Sequence, residues 1–548
     1  MIKRLPLALA LPLLLASAAG HAAEPLFLEN GATRSVTGQA AAANSPFGKD
    51  NKVGRARLGL HVNPAALGAA ELSMPLPDGR QFTARRAQRY DTRGGVAVWV
   101  GKHNAAAPGT PEAAAEETIL VVHEGRVTGS IRHEGKLYRI RSAADGSHAV
   151  AEIDSAAFPR DHEESEYRRE LERQSPERQP LERQPLERQP LERQLPATTL
   201  PGTTVTPALA GTPVIRVLVN YTPAAKNRIG DIVGEINLAV AETNQGYVNA
   251  GVNARVELAH VAPVSYSESG SNSTDRSRYA DVDDRVMDEI HAQRTTYAAD
   301  VGVLLTDGNS GCGNGTIHAS STSAFVAVTA DCAVGNYSFG HELGHLFGAR
   351  HNPEEDSSTT PYAYGHGYLS PSRNWRTIMA YDCPNGCPRI NWWSNPSKTR
   401  NGVAMGTSTR SNNARVLNER AATLAGFRAA PVSASVTVSN TGDYTIPDNN
   451  TTGVASPVSV NTAGSAGAVT VDVRIIHPYI GDLVMDLIAP DGTVYNLHNR
   501  SGSGTDNIIR SYSLSLGSKA RLGTWRLRVS DRGAQDTGHI ESWTFKSE

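Results

Sequence analysis

The stretch that most constrains this chain is His341-Glu342-Leu343-Gly344-His345-Leu346-Phe347-Gly348-Ala349-Arg350-His351. If Tyr337 to Leu346 is helical, His341 and His345 project from one face, about one turn apart. Two neutral imidazole nitrogens on that face suit a single Zn²⁺, and Glu342, a quarter turn away, reaches a water beside the metal. In a continued helix His351 would lie about 15 Å beyond His341 and on another face. Gly348 resolves this, because glycine takes a positive φ cheaply and lets the chain turn back. Three protein nitrogens leave a fourth position open, the arrangement of a catalytic rather than a structural site.

The pattern HExxHxxGxxH resembles the zinc signature of metzincin metallopeptidases, of the bacterial reprolysin-like type. That resemblance implies a Met-turn, and Thr377-Ile378-Met379-Ala380-Tyr381 supplies one. Met379 is then a hydrophobic floor beneath the histidines. Tyr381 is similar to the tyrosine of astacins and serralysins, which binds the metal and swings towards the transition state; core packing is its alternative reading. The resemblance also implies an α/β catalytic domain with a twisted sheet above the zinc helix. Asn391-Trp392-Trp393-Ser394-Asn395-Pro396 would wall the pocket for the residue after the scissile bond, or else be core.

A chain of 548 residues with 39% hydrophobic content holds several domains. Its net charge of −2 gives no electrostatic case for nucleic acid or an anionic membrane. Lys3 and Arg4 precede an apolar run, Leu5 to Ala19, that reads as a signal peptide over residues 1–23, hence secretion or periplasmic residence. Residues 24–162 read as a separate, mostly β propeptide, with a meander from Thr118 to Arg141 broken at Glu124-Gly125 and Glu134-Gly135. His103, His123, His133 and His148 read as exposed strand residues. No cysteine lies in this segment, so a latency residue must be a carboxylate, a histidine or a backbone group; Asp161 and His162 are candidates by their position. Its expected role is inhibitor of its own enzyme.

Residues 163–210 carry Glu-Arg-Gln-Pro-Leu repeats whose prolines forbid a continuous helix. This reads as a solvated linker, with exposed arginines suited to proteolytic maturation.

The catalytic domain is expected over 211–428, with strands at Val214 to Asn220, Ala254 to Val261 and Val301 to Thr306. Pro223 opens a helix whose buried face carries Ile229, Ile232, Val233, Ile236 and Val240. Further helices are expected at Asp283 to Ala292 and Asn413 to Phe427. Ala324 to Thr329 resembles the edge strand that pairs with an extended substrate. Cys312, Cys332, Cys383 and Cys387 allow three pairings in an exported chain; Cys312–Cys332 and Cys383–Cys387 are favoured as local. A second zinc site on these thiols is the alternative. His318 and His366 read as structural.

From about Ser433 the chain turns to alternating Thr, Val, Ser and Gly, and an all-β sandwich is expected over 433–548. Gly481-Asp482-Leu483, Pro490-Asp491-Gly492 and Gly523-Thr524-Trp525 resemble the P domain, or Homo B domain, of proprotein convertases, which brings no catalytic residue. Asp482, Asp486 and Asp531 are candidate Ca²⁺ ligands, with solvated loop carboxylates the alternative. The functional expectation is therefore a secreted zinc endopeptidase made as a zymogen, acting on peptides or proteins. One rival is an exported binding or adhesion protein with a vestigial zinc site, against which the intact Glu342 and Met379 argue. Another is a zinc hydrolase of non-peptide substrates.

Overall fold

The computed structural model describes residues 23–38, 45–48, 50–92, 96–103, 116–162, 167–169, 212–308, 311–384, 386–429, 435–462 and 464–547. The proposed signal peptide, save its last residue, and nearly all of the proline-rich repeat lie outside these.

Among the described residues, ten strands between Glu24 and Ile153 form one sheet, antiparallel but for one edge pair. Glu117–His123, Arg126–His133 and Lys136–Ser142 make the expected meander. Its tight turns hold Glu124, Gly125, Glu134 and Gly135 at positive φ, as hairpin twist requires. The four histidines are not the exposed residues expected. His148 is buried and accepts the Val127 amide at 3.0 Å. His103 and His133 cluster with Glu116 beneath Phe82.

The central unit, numbered on its own, runs β1 (Val214–Tyr221), α1 (Pro223–Ile229), α2 (Ile232–Ala250), β2 (Arg255–Pro263), α3 (Asn272–Ala280) and α4 (Glu289–Thr296). It continues with β3 (Val301–Thr306), β4 (Gly313–Gly315), β5 (Phe325–Thr329), α5 (Ala330–Ala333) and α6 (Ser338–Phe347). A hairpin of β6 (Asn395–Arg400) and β7 (Val403–Met405) precedes α7 (Asn413–Ala425). The main sheet orders β2-β1-β3-β5-β4, parallel except for β4.

Three expectations shift. The helix after β1 is two helices, because Gly230 adopts a positive φ and Asp231 recaps the chain on the Gly234 amide. Helix α4 starts later than expected, since residues 281–288 form Asp-anchored turns. The segment Phe325–Thr329 is interior, with β3 on one side and β4 on the other, so the outer strand is Gly313–Gly315.

Helix α2 is buried almost all round because the main sheet lies on one side and the N-terminal sheet on the other. One apolar core therefore runs through both units, joining Val98, Val100, Ile119 and Val121 to Val217, Ile236 and Val303. Burying α2 on both faces requires partners for its carboxylates. Arg139 and Arg141 both pair with Glu235, Arg141 also reaching Asp331 of α5 at 3.0 Å, and the Gly335 amide donates to Glu242 at 2.9 Å.

Beyond residue 435 two antiparallel sheets of five and four strands form a sandwich around Trp525, Leu527, Val529, Trp543 and Phe545. Asp482, Asp486 and Asp531 take separate partners: Arg500 at 3.5 Å, Arg528 at 2.7 Å and His477 at 3.2 Å. Both favoured disulfides are formed, which removes the alternative of a zinc site on free thiols. Among the described residues, no helix is long and apolar enough to cross a membrane.

Candidate active site and metal centre

Helix α6 begins one residue later than expected, at Ser338, and ends on Gly348 with φ 105°. Its amide bonds back to the His345 carbonyl and the chain reverses, as the sequence spacing requires. His351 is thereby returned to the helix face, its Nε2 atom 3.2 Å from His341 Nε2, and His345 Nε2 is 3.2 Å from the same atom. His341 Nδ1 donates to the Ile378 carbonyl at 3.0 Å and His345 Nδ1 to the Ala349 carbonyl at 2.9 Å. These bonds fix both rings as Nδ1–H tautomers and turn bare Nε2 lone pairs towards one another. Converging lone pairs repel unless a cation lies between them. A tetrahedral Zn²⁺ with bonds of about 2.0 Å has ligand edges of about 3.3 Å, so the donor set fits zinc. Burial depresses the imidazoles, His341 to about 4 and His345 and His351 well below the usual range, which favours the neutral, lone-pair-bearing form of each.

Below them lies the Met-turn. A Cβ on Gly344 would meet Met379 Sδ at 2.9 Å and the Trp393 ring at 2.7 Å, so Met379 and Trp393 pack against the floor of the helix. Trp392 and Trp393 are both fully buried and belong to the core. Tyr381 stacks on His351 with centroids 4.0 Å apart, and its buried hydroxyl lies against the His162 backbone. His366 supports the returning loop with its ring nitrogens 2.8 and 2.9 Å from the His351 and Ser358 carbonyl oxygens, and His318 packs on Tyr362.

Glu342 lies under β4. Both of its oxygens are buried without hydrogen-bond partners, and side chains at Gly313 or Gly315 would collide with it. Burial, and after it the nearby Asp161 charge, raise its carboxyl well above the usual carboxylate range.

The N-terminal unit enters this site. The carbonyls of Arg160 and Asp161 accept the Cys312 and Gly313 amides at 2.9 and 2.8 Å. His162 Nε2 lies 3.1 Å from His345 Nε2 and 3.6 Å from Glu342 Oε1, making a fourth imidazole in the cluster. Burial takes it down to about 3. Tyr167 covers His351 with centroids 4.2 Å apart and donates to Asp356 at 2.6 Å. Asp161 turns the other way, into a buried recess. There Ser338 Oγ donates to it at 2.9 Å, Arg389 Nη1 at 3.1 Å, and Arg389 Nη2 to its second oxygen. Burial alone would raise the Asp161 carboxyl, but Arg389, with His341 and Arg376, holds it well below the usual range.

The structure thus brings together His341, Glu342, His345, His351, Met379 and Tyr381. It adds His162, which the sequence offered only by position, and Ser338, Arg376 and Arg389, for which the sequence carries no periodic or motif signal.

Residues 211–394 match the family model described as metallo-peptidase family M12, and residues 466–547 match the proprotein convertase P-domain. The chain is 39% identical over 378 residues to a peptidyl-Asp metalloendopeptidase of Xanthomonas campestris pv. campestris, spanning 67% of this chain and 85% of that protein. A protein of the same name from Stenotrophomonas maltophilia is 40% identical over 383 residues, spanning 67% and 86%. Leupeptin-inactivating enzyme 1 of Streptomyces exfoliatus is 50% identical over 115 residues, 21% of this chain and 26% of that protein. With this extent of similarity, and with the histidine cluster inside the matched domain, the chain belongs to metallopeptidase family M12 and is a metalloendopeptidase.

Proposed function

We propose that this protein is an exported zinc endopeptidase made as a zymogen. His341, His345 and His351 hold the zinc, and Glu342 is the general base. The observation that carries the reading is the convergence of Nε2 atoms 3.2 Å apart, with Nδ1 of His341 and His345 tied to carbonyls. Zinc, when bound, supplies Lewis acidity that polarises a peptide carbonyl and brings the pKa of water there towards about 7.

Glu342 takes a proton from the attacking water and returns it to the departing amine nitrogen. Tyr381, beside His351, donates its hydroxyl proton as a hydrogen bond to the oxygen on which negative charge grows. The backbone amides of Cys312 and Gly313, now bonded to residues 160 and 161, receive an extended peptide in their place. His162 offers the nitrogen that fills the open position in the precursor, so residues 24–162 act as inhibitor until cut away in the 163–210 linker. The name of the similar enzymes extends the reading to peptides containing aspartate as substrates.

Glu342→Gln tests the core of this. The variant should retain one zinc per chain by elemental analysis while peptide hydrolysis by the matured enzyme falls by about 10³-fold or more. Hydrolysis at the original rate would remove Glu342 from the role; absence of zinc from the unaltered protein would remove the reading.

A further inference from the structure

We propose that Arg389 is the specificity-determining residue for a carboxylate side chain next to the scissile bond, and that Asp161 is a built-in copy of that substrate side chain. This deepens the endopeptidase reading and rests on it.

Arg389 lies in the segment between the Met-turn and Trp392, buried beside the zinc helix. Its guanidinium is fixed before any ligand arrives: Nη1 donates to the Asn336 carbonyl at 2.9 Å and Nη2 to the Ala380 carbonyl at 3.2 Å. The same two nitrogens meet both oxygens of Asp161, a fork that matches a planar carboxylate. Ser338 Oγ, in the first turn of the zinc helix, adds a third donor at 2.9 Å. Arg376, held on the Cys387 and Ala380 carbonyls, adds positive charge nearby.

A buried ion pair that merely clamps the N-terminal unit is the plainer explanation. Three features of the location argue for more. Asp161 immediately precedes His162, whose imidazole is among the metal-binding rings. Its backbone pairs with the Gly313 amide at the outer strand, where an extended peptide would pair. The recess opens at Glu342 and His341, the latter with Nδ1 3.8 Å from Asp161 Oδ2, so a side chain entering it belongs to a residue next to the bond being cut. Once the N-terminal unit leaves, Arg389 is a desolvated cation without this carboxylate. A peptide with a neutral or cationic side chain leaves it unpaired, and an aspartate restores the pair.

The test uses the full-length chain matured by nicking in the 163–210 linker, and two quenched peptides differing only in Asp or Asn at one position. The unaltered enzyme should prefer the Asp peptide in kcat/KM by about 100-fold or more. In Arg389→Met that ratio should collapse to within about 5-fold, with Arg389→Lys intermediate. Calorimetric binding of a peptide spanning residues 158–164, against its Asp161→Asn form, gives a readout independent of turnover. An Asp161→Asn precursor covers the case of a misfolded Arg389→Met, because the matured enzyme is unchanged. That precursor should admit the Asp peptide, whereas the unaltered precursor excludes it. Hydrolysis with no Asp preference, a preference surviving in Arg389→Met, or an Asp161→Asn precursor as closed as the unaltered one would overturn the proposal. Arg389-dependent binding of the Asp peptide with no hydrolysis of any peptide would overturn the endopeptidase reading instead.

Discussion

Tyr381 stacks on the His351 ring and keeps its hydroxyl buried against the His162 backbone. Were that backbone withdrawn, the hydroxyl would need something else to bond, since a buried hydroxyl left without a bond costs about 1–3 kcal/mol. If that something is the developing oxyanion, Tyr381→Phe should lower kcat by about 10- to 100-fold and leave KM nearly unchanged. A rise in KM with constant kcat, in steady-state kinetics of the matured variant, would make the residue a substrate contact only. The three histidines and Glu342 were legible in the sequence because helix period and one turning glycine set their positions locally. His162 was offered only by its place before the linker and Arg389 not at all, since their meeting depends on how residues 158–162 lie against a distant helix, and no periodicity encodes such a contact.

At the scale of elements, the strands and helices that carry a strong apolar pattern stood out: β1, β3, α6 and α7 appear within a few residues of their expected bounds. The outer strand did not. Gly313-Asn314-Gly315 has neither β-branched nor aromatic residues, because Glu342 lies where a side chain would be. Its neighbour β5 has the better strand composition and therefore looked like the edge. Composition reports packing, and this edge is packed by backbone. The disulfides differ in what they restrain. Cys312–Cys332 closes a separation of 20 residues and fixes the start of the outer strand, whereas Cys383–Cys387 spans only 4. Chain entropy gives about 3 kcal/mol for the first and about 2 kcal/mol for the second. Denaturant unfolding of the two double Cys→Ser variants should rank them in that order. Equal losses would mean that strain or enthalpy outweighs the loop term.

Across the whole molecule, the N-terminal sheet and the central unit were expected as independent bodies and instead share one core, with Arg139 and Arg141 buried at the contact. Each half shows its own complete pattern, and the sequence of α2 hides its second cover, because Glu235, Asn237, Glu242, Thr243, Gln245 and Asn249 read as a solvated face yet are buried. Stability of the full chain should fall in mild acid. Burial pushes His148 from 6.5 down to about 4, so below pH 6.5 the unfolded chain binds a proton that the folded chain refuses. Stability is therefore fully present above pH 6.5 and lost on acidification towards pH 4, by on the order of 3 kcal/mol from this one residue. His148→Gln, which keeps an acceptor for the Val127 amide, should flatten the midpoint of urea unfolding over that window. An unchanged slope would assign the acid sensitivity elsewhere.

Asp161 and Arg389 sit 228 positions apart along the chain, yet each completes the other's charge in a space that excludes water. Neither can drift alone. Exchanging the guanidinium for a neutral side chain would strand a buried anion, and exchanging the aspartate for a neutral one would strand a buried cation. Substitutions at these two positions must therefore come in pairs, one on each side of the contact between the N-terminal stretch and the central unit.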